Sequence, residues 1–109
     1  MSVLEVFDFA VETARLNELI ASLKAFETWS RKRPDLFRSM RSYHVYTQAD
    51  GGKSSVRCLE VCEFASLAEV ERNYEAVKED KEYLTTHLPT FTNLIIPGTL
   101  DREIWTSVV

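Results

Sequence analysis

The side chains of this sequence that could carry chemistry fall on three of its predicted strands and near one helix end. His44 and Tyr46 alternate along a strand-like run, so they share one face of that strand. If this face looks into a cavity, His44 could act as a base or as a hydrogen-bond donor toward a phenolic or enolic ligand. If it looks outward, the two residues form a solvated polar edge, and the sequence leaves both interpretations open.

A second group of candidates lies in the second half of the chain. Tyr83 and His87 are four residues apart, so on a helix they would face the same cleft, although His87 could also be a surface or capping residue near Pro89. Glu60 lies among apolar strand residues, where a carboxylate without a partner is costly. We therefore expect Glu60 to pair across a dimer or with an arginine. Trp105 is either a packing residue or part of a ligand platform.

Several classes of function are disfavoured by what the sequence lacks. Two histidines on separate elements have no spaced third ligand, so we expect no metal site. There is no glycine-rich phosphate loop, no dinucleotide fingerprint and no serine elbow. A formal net charge of −4 argues against a nucleic-acid partner. No apolar stretch approaches the ~20 residues of a membrane span, and no basic region precedes the first apolar run. We expect a cytosolic protein that binds neither nucleic acid nor membrane.

The chain of 109 residues has room for one domain, spanning residues 1–109. Cys58 and Cys62 lie in a β-branched, alternating run, where residues four apart are too distant for a disulfide. We expect two buried free thiols. Gly51-Gly52, in the polar stretch 48–55, predicts the loop of a hairpin. The cations of Arg31-Lys32-Arg33 suit the negative end of a helix dipole, with a phosphate site as the alternative.

Hydrophobic periodicity predicts six elements in the order β-α-β-β-α-β. The predicted strands are 3–11, 41–47, 55–64 and 100–108, and the predicted helices are 14–33 and 67–80. Ser66 and Glu69 form a capping box at the start of the second helix. The segment 82–88 could continue that helix or begin a shorter one, with Pro89 as its limit, and 90–96 is ambiguous.

This order predicts an α+β, ferredoxin-like fold, in which a four-stranded antiparallel sheet carries both helices on one face. The first and third predicted strands are apolar on both faces, whereas a sheet with one solvated face would alternate more cleanly. The uncovered face would measure about 400 Å², which is already a large apolar patch for a monomer. We therefore expect an obligate homodimer that packs sheet against sheet.

A proline-glycine turn, Pro97-Gly98, leads into a charged last strand that carries Trp105. This stretch resembles the corresponding part of NIPSNAP-like proteins, within the dimeric α+β-barrel superfamily. The arginine and tyrosine of the first-strand motif in that family are replaced here by Phe7 and Phe9. The proline-glycine usual before its first helix is replaced by Thr13-Ala14.

The spacing of Tyr83, His87 and Phe91 resembles that of the antibiotic-biosynthesis-type monooxygenases, which include haem-degrading members. The asparagine and tryptophan that accompany the histidine in those members have no convincing counterpart, since Asp8 and Val77 stand near the corresponding places. The resemblance implies a small apolar cavity between the sheet and the second helix. The candidates are then His87 and His44 as catalytic residues and Tyr46, Glu60, Tyr83, Phe91 and Trp105 as ligand-binding residues.

Three functions follow from these observations. The first is a homodimer that binds a small apolar or aromatic molecule, without a cofactor and with no requirement for catalysis. The second is an oxidoreductase, either a cofactor-independent or a haem-dependent monooxygenase that uses His87 or His44. The third is a structural module whose only activity is dimerisation.

Overall fold

Four antiparallel strands form one sheet in the spatial order β2-β3-β1-β4. The strands are β1 (Val3–Glu12), β2 (Ser42–Thr47), β3 (Ser55–Phe64) and β4 (Asp101–Thr106). The computed structural model describes residues 2–50 and 54–109 of the chain. The ferredoxin-like α+β fold expected from the order of the elements is confirmed. The predicted hairpin loop at Gly51-Gly52 lies outside the described residues.

The helices pack on one face of this sheet. They are α1 (Leu16–Arg31), which follows a 3-10 turn at Thr13–Arg15, then α2 (Pro34–Phe37), α3 (Leu67–Val77), a π-helical turn (Tyr83–His87) and α4 (Leu88–Leu94). At the start of α3, the Glu69 amide donates to the Ser66 side-chain oxygen at 3.3 Å, as the capping motif predicts. The ambiguous segment 90–96 contains most of α4.

The expectation that Pro89 limits the last helix is wrong. The π-helical turn runs directly into α4, so Pro89 lies inside one continuous helical segment, in the first turn of α4. The Leu88 amide bonds to the Tyr83 carbonyl five residues earlier, which widens the helix just before the proline ring. Such π-helical turns are often found at functional sites.

The register decides which residues face the helices. Glu5 pairs with Cys62, Phe7 with Glu60 and Phe9 with Cys58, so the odd residues of β1 and the even residues of β3 share one face. Two buried apolar clusters form on that face, one around Phe9, Leu19 and Leu94 and the other around Val3, Phe64 and Val70. Cys58 and Cys62 are buried free thiols, which confirms the prediction.

The other face carries no helix among the described elements, and we call it the open face. It consists of Leu4, Val6, Asp8 and Ala10 of β1, Arg57, Leu59, Val61 and Glu63 of β3, Ser42, His44 and Tyr46 of β2, and Asp101, Glu103 and Trp105 of β4. The two apolar clusters of the covered face are separated by Glu5, Phe7 and Glu60, and it is there that the helices leave space.

Candidate functional site

A cavity of about 150 Å³ lies between the sheet and the helices. Its sheet side consists of Glu5, Phe7, Glu60 and Cys62, and its helical side includes Leu23 and Phe26 of α1, Asn73, Tyr74 and Val77 of α3, Tyr83 and His87 of the π-helical turn, and Leu88 and Phe91 of α4. Most of this lining is apolar or aromatic. An apolar cavity of roughly 150 Å³ is known to take up a single benzene ring, so this one has room for a ligand of that size.

Glu60 lies at the sheet side of the cavity with Tyr43 as its partner. The Tyr43 hydroxyl donates a hydrogen bond to Glu60 Oε2. Burial raises the pKa of Glu60 to about 7, and the bond from Tyr43 lowers it only in part. Burial, and then the negative charge of Glu60, raise the pKa of Tyr43 well above its usual value, so the phenol keeps its proton.

The expectation that Glu60 pairs with an arginine or across a dimer is therefore wrong. Neither an arginine nor a second subunit is needed, because the neighbouring strand β2 supplies a hydroxyl donor. Glu60 also faces the helices, away from the open face on which a second sheet would pack. Tyr43 escaped the sequence analysis because alternation along β2 defines two faces but does not say which of them is covered.

Glu5 is a second buried carboxylate, only 3% exposed. Arg102 of β4 donates from Nε to Glu5 Oε2 at 2.8 Å, and its guanidinium also lies 4.3 Å from the centre of the Tyr74 ring. Burial raises the pKa of Glu5, and the Arg102 contact opposes that shift. Glu5 and Arg102 are 97 positions apart, so only the strand order brings them together. The signal in the sequence was an acid among the inward apolar residues of β1.

His87 packs within a cluster of aromatic rings. Its ring centre is 4.4 Å from that of Trp29 and 5.9 Å from that of Phe26. Burial lowers the pKa of His87, and the nearby Glu82 and Asp80 only partly oppose this, so the imidazole is neutral at pH 7. A neutral imidazole can accept a proton or a hydrogen bond from a ligand.

Tyr83 and Phe91 complete the group that the sequence predicted. Tyr83 stacks on Trp29 with 6.4 Å between ring centres, and burial raises the pKa of Tyr83 to about 12. Phe91 lines the cavity and meets Phe9 edge to face at 5.0 Å. The structure thus brings four of the seven predicted site residues, Glu60, Tyr83, His87 and Phe91, to one cavity.

The π-helical turn is held in place by Arg33, which follows α1. Its guanidinium bonds to Asp80 at 2.7 Å and to Glu82 at 3.3 Å, and Asp80 also accepts the Tyr83 amide at 3.0 Å. The same guanidinium lies 5.5 Å from the centre of the Trp29 ring. At least one cation at the end of the predicted helix therefore serves in ion pairs that position the aromatic cluster.

Three predicted site residues lie elsewhere. His44, Tyr46 and Trp105 are on the open face, where Tyr46 is 55% and Trp105 56% exposed. The interpretation in which the face of His44 looks into the cavity is wrong for a single subunit. The cause is register: His44 pairs with Val61, which points away from the helices, while Tyr43 pairs with Cys62, which points toward them.

The geometry of the described residues bears on two bound groups, a metal ion and a haem. No group of three metal-ligating side chains occurs among residues 2–50 and 54–109, and no helix of that part is long and apolar enough to cross a membrane. A haem macrocycle is much larger than the one-ring cavity, and the His87 ring is already packed against Trp29. The residues present therefore do not fit a haem.

No family model and no curated protein matches this chain. Many solved structures are similar to this chain, including three that match almost its whole length. A NIPSNAP family protein from Agrobacterium tumefaciens has a TM-score of 0.70 at 14% identity, covering 97% of this chain and 92% of its own. A variant of SnoaB, a cofactor-independent oxygenase from Streptomyces nogalater, has a TM-score of 0.70 at 14% identity, covering 99% and 94%.

The third is a dimeric protein of unknown function from Bacteroides fragilis, with a TM-score of 0.60 at 12% identity, covering 95% and 94%. The two families that the sequence resembles are therefore also found among its structural neighbours. At these identities the similarity concerns the fold. The chain has the ferredoxin-like α+β fold that NIPSNAP and antibiotic-biosynthesis-type monooxygenase structures share.

Proposed function

We propose that this protein binds a small aromatic molecule, about the size of one ring, in the cavity between the sheet and the helices. The observation that carries the proposal is the cavity itself, about 150 Å³ in volume and lined mostly by apolar and aromatic side chains. Ligand sites typically combine such walls with a few polar groups that fix orientation. Here Glu60 and His87 are polar groups of that kind, one on the sheet side and one on the helical side.

The aromatic lining favours a flat ring over an aliphatic chain. Phe7, Phe26 and Phe91 contribute ring faces or edges to the wall. Offset or edge-to-face ring pairs are worth about 0.5–1.5 kcal/mol beyond the area they bury. A ring that enters this space exchanges contact with water for such pairs.

Binding can be measured with fluorobenzene, whose ¹⁹F NMR signal broadens and shifts when it enters the cavity. We expect binding by the wild-type protein and its loss in Val77→Phe, because Val77 lines the cavity from α3 and the larger ring fills it. The matched control is Leu67→Phe, which places the same ring at a 53% exposed site of the same helix. Unchanged binding by Val77→Phe would contradict the cavity as the site.

The second part of the proposal is that the open face binds a second copy of this chain. Leu4, Leu59 and Val61 form its apolar centre, and the edge strands add the exposed rings of Tyr46 and Trp105. Sheet-on-sheet packing across a two-fold axis would cover both copies at once. The similar protein from Bacteroides fragilis is dimeric.

Sedimentation equilibrium at micromolar concentration should give a mass of two chains, and a mass near one chain would contradict the dimer. A dimer that binds no ring compound would favour the purely structural role.

A second candidate function is a cofactor-independent monooxygenase. The observation that favours it is the presence of two groups suited to proton transfer near neutral pH, Glu60 with a pKa of about 7 and a neutral His87, in one cavity. Oxygenation without a cofactor requires that a substrate lose a proton before it reduces oxygen, which is a task for a general base. SnoaB, which shares the fold, is a cofactor-independent oxygenase.

Oxygen uptake with hydroquinone, a one-ring quinol, tests this candidate. We expect protein-dependent oxygen consumption that falls by about 100-fold in His87→Gln, the usual range for loss of a general base. His44→Gln is the control, because His44 lies on the open face. No consumption above the rate in buffer would remove the enzyme from consideration and leave the binding proposal in place.

A further inference from the structure

The Glu60 carboxylate has one oxygen committed to the protein and one that is not. Tyr43 donates to Oε2, and Oε1 receives no hydrogen bond from the residues that the structure describes. Glu60 lines the cavity beside apolar Phe7 and Cys62, its neighbours across and along the sheet. Tyr43 thus holds the Glu60 carboxylate in position, and Oε1 is available to accept a hydrogen bond from a ligand.

We propose that Glu60 and Tyr43 form a hydroxyl-binding subsite, which makes the cavity selective for phenols over rings without a hydrogen-bond donor. The ring lies among the aromatic side chains, and its hydroxyl donates to Glu60 Oε1. This inference rests on the proposed ligand-binding function and specifies the class of its ligand. It does not require catalysis.

Charge on the sheet side of the cavity favours a neutral donor over an acid. Two carboxylates, Glu5 and Glu60, face the same space, and Arg102, the one guanidinium bonded to them, is already committed to Glu5. A benzoate anion would meet the charge of Glu60, and the Lys78 ammonium that lines the same cavity is already paired with Glu75 at 2.9 Å. A phenol satisfies the carboxylate without bringing a charge into a poorly hydrated site.

The hydroxyl subsite also predicts how binding depends on pH. From the sheet, Glu5, Tyr43 and Cys62 surround Glu60. From the helices, Tyr74, Lys78, Tyr83 and His87 line the same cavity. Burial raises the pKa of both Tyr43 and Cys62, so these groups stay neutral up to pH 8.5.

Glu60, with a pKa of about 7, changes charge in the neutral range, whereas His87 changes at lower pH. Burial also raises the pKa of Glu5, but its contact with Arg102 opposes that shift. A phenol hydroxyl donates more strongly to the ionised carboxylate. Affinity for phenol should then rise as the pH increases through about 7, and affinity for fluorobenzene should not.

Competition between phenol and fluorobenzene in the same ¹⁹F NMR experiment measures the preference directly. The two probes differ only in a hydroxyl against a fluorine, and phenol stays neutral at pH 8.5 because such hydroxyls ionise near pH 10. At pH 8.5 we expect phenol to bind roughly tenfold more tightly, as one hydrogen bond to a charged acceptor provides. At pH 5.5 the preference should fall to less than about threefold.

Two variants assign the effect to the subsite. Glu60→Gln should lose both the preference at pH 8.5 and its dependence on pH. Tyr43→Phe should keep the preference but move its midpoint to higher pH, because the lost hydrogen bond is one that lowers the pKa of Glu60. This second variant leaves the inference falsifiable if Glu60→Gln fails to fold.

Each alternative result has a separate meaning. Equal binding of both probes at both pH values would overturn the hydroxyl subsite and leave the cavity as a site for plain rings. A preference that persists in Glu60→Gln, or a midpoint unmoved in Tyr43→Phe, would overturn the assignment to this pair. Binding of neither probe would overturn the subsite and the proposed function together.

Discussion

Acidic side chains have different surroundings on the two faces of the sheet. On the covered face, each carboxylate has one partner from a neighbouring strand: Glu5 has Arg102, and Glu60 has Tyr43. On the open face, acidic side chains have partners that are exposed to solvent. Asp8, for example, forms an ion pair with the exposed Arg57. Burial raises the pKa of Glu60, whereas the Arg57 contact lowers the pKa of Asp8.

This difference separates two tasks. The covered face encloses a small volume in which a carboxylate and an imidazole have perturbed pKa values, the arrangement expected of a binding or catalytic site. The open face has an apolar centre and exposed rings at both edges, which is the arrangement expected of a surface that another sheet covers. The predictions below test this division, starting with the largest expected effect.

A truncation on the covered face should cost far more stability than one on the open face. Phe64 is fully buried, so Phe64→Ala should lower the free energy of unfolding by about 3–5 kcal/mol. Tyr46→Ala, at a 55% exposed site, should change it by less than about 0.5 kcal/mol for the single chain. Urea unfolding at one fixed protein concentration compares them. Equal losses would mean that a partner covers Tyr46 as fully as the helices cover Phe64.

A charge placed at the centre of the open face should separate the two copies of the proposed dimer. Val61 pairs with Val6 and His44 on that face, so Val61→Glu would bury two new carboxylates in a dimer interface. We expect the dissociation constant to rise by about 100-fold or more, since an unpaired buried charge costs about 3–5 kcal/mol. Sedimentation velocity measures the change. Ala25→Glu, which adds the same charge on the exposed side of α1, should leave the dimer intact.

The fold could be predicted from the sequence because local patterns determine it. β3 was predicted with the bounds that the structure gives, and the cap at Ser66 is present. The choice of cavity residues on β2 could not be predicted, because Tyr43 and Tyr46 lie on opposite faces and both faces carry an aromatic residue. Only the pairing of Tyr43 with Cys62 decides between them.

The polar contacts of the site were beyond prediction for a different reason. Glu5 and Arg102 meet because β4 returns beside β1, and Arg33 meets Asp80 because α1 ends beside the π-helical turn. These pairs are separated by 97 and 47 positions, so no local sequence pattern predicts them. What the sequence did supply was the anomaly itself, an acid within an apolar face, and at Glu60 this was enough to predict a residue that lines the cavity.

On the covered face, Glu60 should make the free energy of unfolding fall as the pH rises, which is unusual for a carboxyl group. The pKa of Glu60 is about 7 in the folded chain and near its usual 4.5 when unfolded, so its contribution is fully present below pH 4.5 and is lost as the pH rises through 7. Glu60→Gln removes this loss, so its free energy of unfolding should rise relative to that of the wild type by about 3 kcal/mol as the pH increases from 4.5 to 8. Chemical denaturation at several pH values measures it. A difference that does not vary with pH would mean that Glu60 is ionised throughout.

The ion pairs at the margin of the cavity should show the opposite dependence on pH, with a smaller effect. The Arg33 contact lowers the pKa of Asp80, so its contribution to stability is present above the usual carboxyl value of 3.8 and disappears as the pH falls through the folded value. Arg33→Gln should therefore be less stable than wild type at pH 7, and the difference should shrink as the pH falls below 3.8.

The same variant has a local signature. In a Trp105→Phe background, Trp29 is the only tryptophan, and it lies against both Arg33 and His87. Loss of the guanidinium should loosen the π-helical turn and change the emission of Trp29 at pH 7, while Lys32→Gln, an exposed neighbour, should not. An unchanged emission with an intact cavity would mean that packing of the rings alone positions His87, and that the ion pairs serve only the surface.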